Sequence, residues 1–340
     1  MRKFFFILFI FLGVAFVYLS FSELESIAGT LQSGNLWFIL LALFIQCGWF
    51  ILAGSKIHAL YHVVGIEESV KKMILLFAAG TFVSTVMPSA GMGAVAVFLS
   101  DAKRSGQSTG KVTVASMLYI LTDYITFLCV LAFGLIVLFR RGNLDATELL
   151  ASGIMLSVAS LLVFLLYLGS KSDARLGNAL ARIARFLNRL AYPFIRREYL
   201  SEAKMRDYAH EMAEDLRALP QRGRALVKPF LFAFANKTLL MCVLTVLFVA
   251  FGVPFSAGTI VGGFSFTYLF MIISPTPSGI GIVEGAMPLA LSSLNVPFSQ
   301  AVIITLAYRG ITFWFPLGVG AWALRVLHMD TSQPELNSSM

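Results

Sequence analysis

The sequence predicts an all-α, polytopic membrane protein with about six full spans plus two re-entrant, broken hairpins in an inverted repeat. Three observations carry that expectation. The chain is 58% hydrophobic and 13% charged, with a mean hydropathy of +0.82, a composition that water-soluble domains do not reach. Several apolar runs have the length that crosses a hydrocarbon core. Two of those runs are interrupted by proline and glycine, at 88–93 and at 274–285.

Met1-Arg2-Lys3 and the apolar run 4–21 lack a small-residue cleavage site and read as a retained anchor with a cytoplasmic amino terminus. A second span over 36–54 returns to a cytoplasmic segment carrying Lys56, Lys71 and Lys72. From Met73 the chain is apolar for about 22 Å of helix. It then meets Met87-Pro88-Ser89-Ala90-Gly91-Met92-Gly93 and leaves through 94–100 to Lys103 and Arg104. Basic flanks on both sides put entry and exit on one face, as in a re-entrant hairpin. Residues 113–139 cross outward and 149–169 cross back, with Arg140, Arg141, Asp145 and Glu148 in the loop between them.

Thirteen of the 26 Lys and Arg residues fall between Lys171 and Lys228. The net charge of +8 therefore marks one basic cytoplasmic loop facing anionic headgroups, and no nucleic-acid partner is expected. Leu176, Leu180, Ile183, Leu187, Leu190 and Phe194 recur there at helical spacing, with arginines opposite. This is an amphipathic helix suited to an anionic leaflet or, equally, a solvated basic linker. A second helix is expected from Ser201 to just before Pro220.

Residues 230–251 cross outward again and 298–327 cross inward to a cytoplasmic polar tail. Between them, the apolar run 258–294 is broken by Ser-Pro275-Thr-Pro277-Ser-Gly279-Ile-Gly281-Ile-Val-Glu284-Gly. No single hydrogen-bonded helix passes through two prolines and three glycines. Broken backbone at bilayer depth survives where protein or a wet cavity covers it, and it commonly borders a substrate path. The alternative is an ordinary proline-rich loop at headgroup level.

The chain thus reads as one transmembrane domain, 1–340, with a first repeat over 36–139, the basic loop over 170–228 and a second, inverted repeat over 229–327. A shift of 188 lays Gly91 and Gly93 on Gly279 and Gly281, and a shift of 186 lays Ile125-Thr-Phe127 on Ile311-Thr-Phe313. Span, broken hairpin and span follow in the same order in both halves.

Four ionisable residues fall inside apolar segments: Asp123, Lys237, Glu284 and Arg309. Each costs roughly 2.5 to 3.5 kcal/mol at a helix centre facing lipid, so pairing or hydration is required. They read either as a structural ion-pair network or as the lining of a polar cavity at mid-depth. The three cysteines, Cys47, Cys129 and Cys242, lie in apolar runs and are expected to be packing residues. His58 and His62 have i, i+4 spacing, but without a third ligand they read as interfacial histidines, so no metal is expected. Gly91-Met-Gly93-Ala-Val-Ala96 lacks the strand and crossover of a dinucleotide site. No cofactor and no catalytic nucleophile with its base are expected.

The run SPTPSGIGIVEGAMPLAL with AVIITLAYRGITFWFPLGVGAW resembles the carboxy-terminal signature of the lysylphosphatidylglycerol synthase transmembrane, or flippase-like, family. Pro277, Gly279, Gly281 and Glu284, with Tyr308 and Arg309 about two dozen residues on, carry the likeness. MPSAGMGAVAVFLSDAKRSGQS resembles the family's first motif. The resemblance implies movement of a lipid across the cytoplasmic membrane, not synthesis, since His328 to Met340 are too few for an aminoacyl-transferring domain. Many members carry an arginine shortly before the acid matching Asp123, where this chain has Tyr119, Ile120, Leu121 and Thr122, and some a basic residue after the first break, where 94–99 is apolar. A lysyl-lipid substrate is therefore not assumed.

The leading expectation is an inner-membrane lipid transporter with membrane lipids as partners. Its path would be lined by Pro88, Gly91, Gly93, Asp123, Lys237, Pro275, Pro277, Gly279, Gly281, Glu284, Tyr308 and Arg309. The alternative is a membrane scaffold that presents lipid to a separate synthase or glycosyltransferase through the basic loop.

Overall fold

Eleven α-helices are seen in the computed structural model, which describes residues 27–86, 93–141, 146–195, 209, 219–274 and 276–330. They are α1 (Leu36–Val63), α2 (Val70–Val86), α3 (Gly93–Arg104), α4 (Thr109–Arg141), α5 (Ala146–Lys171), α6 (Asp173–Ile195), α7 (Val227–Ala250), α8 (Ala257–Ile273), α9 (Ile282–Ser293), α10 (Phe298–Arg309) and α11 (Phe315–Asp330). No strand occurs among the described residues. The anchor at 4–21, the first break at 87–92 with Pro88 and Gly91, Asp145, most of the helix expected after Ser201, Pro275 and the tail beyond 330 lie outside them.

Among the described residues, four helical stretches are long and apolar enough to cross a membrane: Leu36–Val63, Thr109–Val137, Gly223–Ala250 and Phe298–Leu327. These match four of the six expected spans. The span expected over 149–169 coincides with α5, whose apolar part includes Ser160–Gly169. The chain is an all-α polytopic membrane protein. Leu36, Trp37, Phe44, Phe133, Phe139, Leu231 and Leu289 are all exposed on the outside of the bundle, which is where lipid replaces water as solvent.

Two large apolar clusters, beside a small one around Phe266 and Leu294, fill the described interior. One joins the second half of α1 to α2, α3 and the start of α4, with Phe50, Leu60, Met73, Phe98 and Leu118 buried. The other joins α4 to α7, α8, α9 and α10 through Phe127, Leu244, Phe264, Met287 and Ile304. Trp49 packs against both.

Four expectations are corrected. The second span does not end at Gly54: α1 runs on to Val63 and buries Lys56 to 1% exposure. Lys56 is therefore not a cytoplasmic flank. The long Lys stem extends the apolar face past the point where a count of uncharged residues stops. Phe298–Leu327 is not one regular helix either, because Gly310–Trp314 forms a π turn in which Phe315 N–H donates to the Gly310 carbonyl. Cys47 and Cys129 are exposed and Cys242 half-buried, so Cys47 and Cys129 are outward-facing positions, not core packing. Lastly, α6 keeps its arginines exposed, but Leu176 is buried and Leu180 and Ile183 pack on the first cluster. Part of its apolar stripe is thus covered by protein, not by a leaflet.

Candidate functional site

The second break is built by backbone conformations that side chains resist. After α8 ends at Ile273, a single 3-10 turn spans Pro277–Gly279, and α9 begins at Ile282. Ser278, Gly279 and Gly281 all have positive φ, at 48°, 75° and 80°. Glycine adopts this region at little cost, whereas Ser278 carries strain. Thr276 stabilises the turn by donating to the Ile280 carbonyl at 2.8 Å. Glu284 accepts from Gly281 N–H at 2.7 Å, closing the start of α9.

The helices on either side of the first break, α2 and α3, pack beside the same place. Gly93 begins α3, and a Cβ there would lie 2.5 Å from the Ser84 nitrogen, so α2 and α3 pack backbone to backbone. Ser84 Oγ accepts from Ala94 N–H at 2.9 Å. On the last turn of α2, Thr85 brings its hydroxyl to 3.3 Å from that of Ser278 in the second break. The end of α2 therefore touches the second break.

Arg309, at the end of α10, ties the second break together. Its Nε donates to Glu284 Oε1 at 2.5 Å and its Nη1 to the Ser278 carbonyl at 3.3 Å, while Phe313 lies under the guanidinium at 4.2 Å. The Arg309 side chain is 3% exposed. An isolated charge at that burial would be prohibitive, and a carboxylate in hydrogen-bond contact offsets it.

A second cluster sits between the two apolar cores. Asp123 on α4 receives Lys56 of α1 on Oδ1 at 3.1 Å and Lys237 of α7 on Oδ2 at 2.7 Å. Tyr268 of α8 donates to the same Oδ2 at 3.1 Å and also accepts a short hydrogen bond from Lys237. The Lys56 ammonium lies 3.6 Å over the Tyr119 ring and that of Lys237 4.0 Å from the Tyr268 centroid. A cation over a ring face gains attraction that partly replaces lost hydration. Lys56 thus reaches Asp123 from another helix.

Between the clusters lies a cavity of about 160 Å³ lined by Trp49, Thr81, Thr85, Tyr268, Ser278, Tyr308, Arg309 and Thr312 among others. Of its lining residues, Ser278 precedes Gly279, Arg309 bonds Glu284, and Tyr268 bonds Asp123 and Lys237, whereas Gly93 and Gly281 do not line it. Pro277 lies in the 3-10 turn. The expected residues that are described thus fall into two linked groups, with Asp123 and Arg309 in different ion pairs. Lys56 and Trp49 were missed. The i, i+4 pair His58 and His62 stack edge to face at 4.8 Å. No cluster of three metal-ligating residues occurs among the described residues.

Curated relatives match the chain over most of its length. A UPF0104 membrane protein of Methanothermobacter thermautotrophicus is 26% identical over 301 residues, covering 87% of this chain and 84% of that one. A UPF0104 membrane protein of Methanocaldococcus jannaschii is 22% identical over 318 residues, covering 92% and 91%. The model of the lysylphosphatidylglycerol synthase TM region matches residues 5–320, carrying both breaks and both charge clusters, and the chain belongs to that family.

Proposed function

We propose that the protein moves a polar-headgroup lipid across the cytoplasmic membrane without making or breaking a covalent bond. The carrying observation is one polar cavity lined both by Thr85, on the last turn of α2, and by Ser278, inside the second interruption, whose hydroxyls approach to 3.3 Å. In this reading the interruptions are re-entrant hairpins from opposite faces, both termini are cytoplasmic, and the headgroup passes along the cavity while the tails stay in lipid. The Glu284–Arg309 pair shapes the groove. The site residues named from the sequence, with Lys56 and Trp49 added, line or support that path.

The test is lipid movement in proteoliposomes containing fluorescent anionic, aminoacylated or polyprenyl-linked lipids. Wild-type protein should accelerate at least one class over empty vesicles, and Glu284→Gln should slow it by tenfold or more, on the order of one lost charged hydrogen bond. No acceleration of any class by folded protein removes the reading.

The exposed Arg175, Arg182 and Arg189 of α6 support a second reading, a scaffold that presents lipid to a synthase or glycosyltransferase. Replacing these three with glutamine should then abolish partner co-purification. Under transport, lipid movement in proteoliposomes should survive that change.

A further inference from the structure

Asp123 is one carboxylate between two ammonium groups. Its Oδ1 takes Lys56 at 3.1 Å and its Oδ2 takes Lys237 at 2.7 Å, so with both lysines protonated the three side chains carry one uncompensated positive charge. Glu284 is committed to Arg309, and Glu68 and Asp101 to Lys72, so among the described ion pairs no further anion balances it. An unbalanced charge taken out of water is costly, and a lysine removes it by giving up a proton.

The contacts single out Lys56 as the lysine that does so. Lys237 is held twice, by Asp123 Oδ2 and by a short hydrogen bond to the Tyr268 hydroxyl. The Lys56 ammonium has three N–H donors. Its hydrogen-bond acceptor is Asp123 Oδ1 at 3.1 Å, and the Tyr119 ring lies 3.6 Å from its nitrogen. Both lysine side chains are 2% exposed, whereas that of Asp123 is 17% exposed. A proton that leaves Lys56 Nζ passes along the hydrogen bond to Asp123 Oδ1 and departs from the open edge of the carboxylate. The cluster then goes from one net positive charge to none, and uptake reverses the steps. The other titratable groups in reach are phenols, Tyr119 and Tyr124 of α4 and Tyr268 of α8, which stay un-ionised at neutral pH. From α2, which also packs here, come the apolar Ile74, against Gly54, and Phe77, beside Tyr119.

We propose that Lys56, Asp123 and Lys237 form a proton-binding site that exchanges one proton, carried by Lys56, through the open edge of Asp123. The site stands on its own geometry; that its proton is coupled to lipid movement rests on the transport reading. Tyr268 makes the connection, because its hydroxyl bonds Asp123 and Lys237 and the residue lines the polar cavity. A change of charge in the cluster is therefore felt in the cavity.

The full wild-type chain, Lys56→Met and Lys56→Arg are titrated potentiometrically in one detergent between about pH 6 and about pH 9, short of the range where an ordinary lysine titrates. Wild type should release about one proton more than either variant, since methionine has none to give and arginine keeps its own. A packing role or a fixed charge predicts the same proton count for wild type and Lys56→Arg, and that result overturns the proposal. Should Lys56→Arg fail to fold, the difference from Lys56→Met decides. In proteoliposomes, wild-type lipid movement should change with pH over the same range, and Lys56→Arg should flatten that dependence. A released proton without lipid movement keeps the proton site and removes transport. Lipid movement without a released proton does the reverse, and a released proton with a pH dependence that survives Lys56→Arg overturns the coupling.

Discussion

Thr85 and Ser278 stand 193 positions apart in the chain, yet their hydroxyl oxygens are 3.3 Å apart. Thr85 sits on the last turn of α2 and Ser278 in the second break, so the contact fixes the end of that helix against the break. In a background lacking Cys47, Cys129 and Cys242, the pair Thr85→Cys and Ser278→Cys should cross-link on mild oxidation, because side chains this close meet disulfide geometry with little backbone movement. Protease digestion and gel mobility read the result. Separate fragments after oxidation would show that the end of α2 does not meet the second break.

Asp123 is expected to be the costliest single charge to remove. Asp123→Asn leaves two buried ammonium groups facing an amide, and breaking a buried pair in this way costs about 3–5 kcal/mol. Lys56→Met leaves the Asp123–Lys237 pair intact and should cost far less. The double variant should be more stable than Asp123→Asn alone, since one stranded cation is gone. Thermal unfolding in detergent ranks the three, and equal losses for both single variants would contradict the shared-carboxylate geometry.

The two breaks use glycine for different reasons, and alanine separates them. At Gly93 a Cβ would press within 2.5 Å of the Ser84 nitrogen, so Gly93→Ala should push α2 from α3 and cost about 1–3 kcal/mol. At Gly281 nothing lies within 4 Å but φ is 80°, so Gly281→Ala should cost about 1 kcal/mol through backbone strain. A second-site change of Ser84 to glycine removes no backbone and should not rescue Gly93→Ala. Unfolding midpoints of the three variants check the ordering.

Lys72, in the polar flank ahead of the apolar part of α2, bridges Glu68 at 2.8 Å and Asp101 at 3.0 Å. Burial works against its charge, but the two carboxylates outweigh burial and raise its pKa above the ordinary lysine value of 10.5. A raised folded-state value means that the stabilisation is complete below the unfolded pKa and is lost as pH rises through the folded one. Lys72→Met should therefore cost up to about 1 kcal/mol at neutral pH and flatten the decline in unfolding temperature above pH 10.5. An unchanged alkaline decline would refute the bridge.

Much of this architecture was legible because proline and glycine leave marks that apolar residues do not. The second interruption could be placed from Pro277, Gly279 and Gly281, and Glu284 and Arg309 stood out as charges amid apolar sequence. Lys56 escaped notice because it lies just past the hydrophobic stretch, where a lysine reads as a headgroup anchor. Its burial depends on Asp123, which is 67 positions away. Trp49 gave no signal, since a tryptophan in an apolar run is ordinary until a tertiary contact shows its nitrogen unpaired. The π turn at Gly310–Trp314 lies just before Pro316, whose missing N–H breaks the ladder, a mark that the reading of one span over 298–327 did not use, and α6 could not be assigned to leaflet or bundle from its own periodicity, because both bury the same stripe.

That wide turn also resets the phase of α11. An extra residue in one coil rotates the downstream rod by about 100°, so a wheel drawn straight through from Phe298 assigns α11 the wrong side. Arg309 can thereby point toward Glu284 while Gly320 on α11 lies flush against the Ala78 carbonyl of α2, where a Cβ would come within 2.5 Å. One continuous rod would be free to satisfy either partner; the inserted residue lets a single stretch of chain clasp both halves of the molecule.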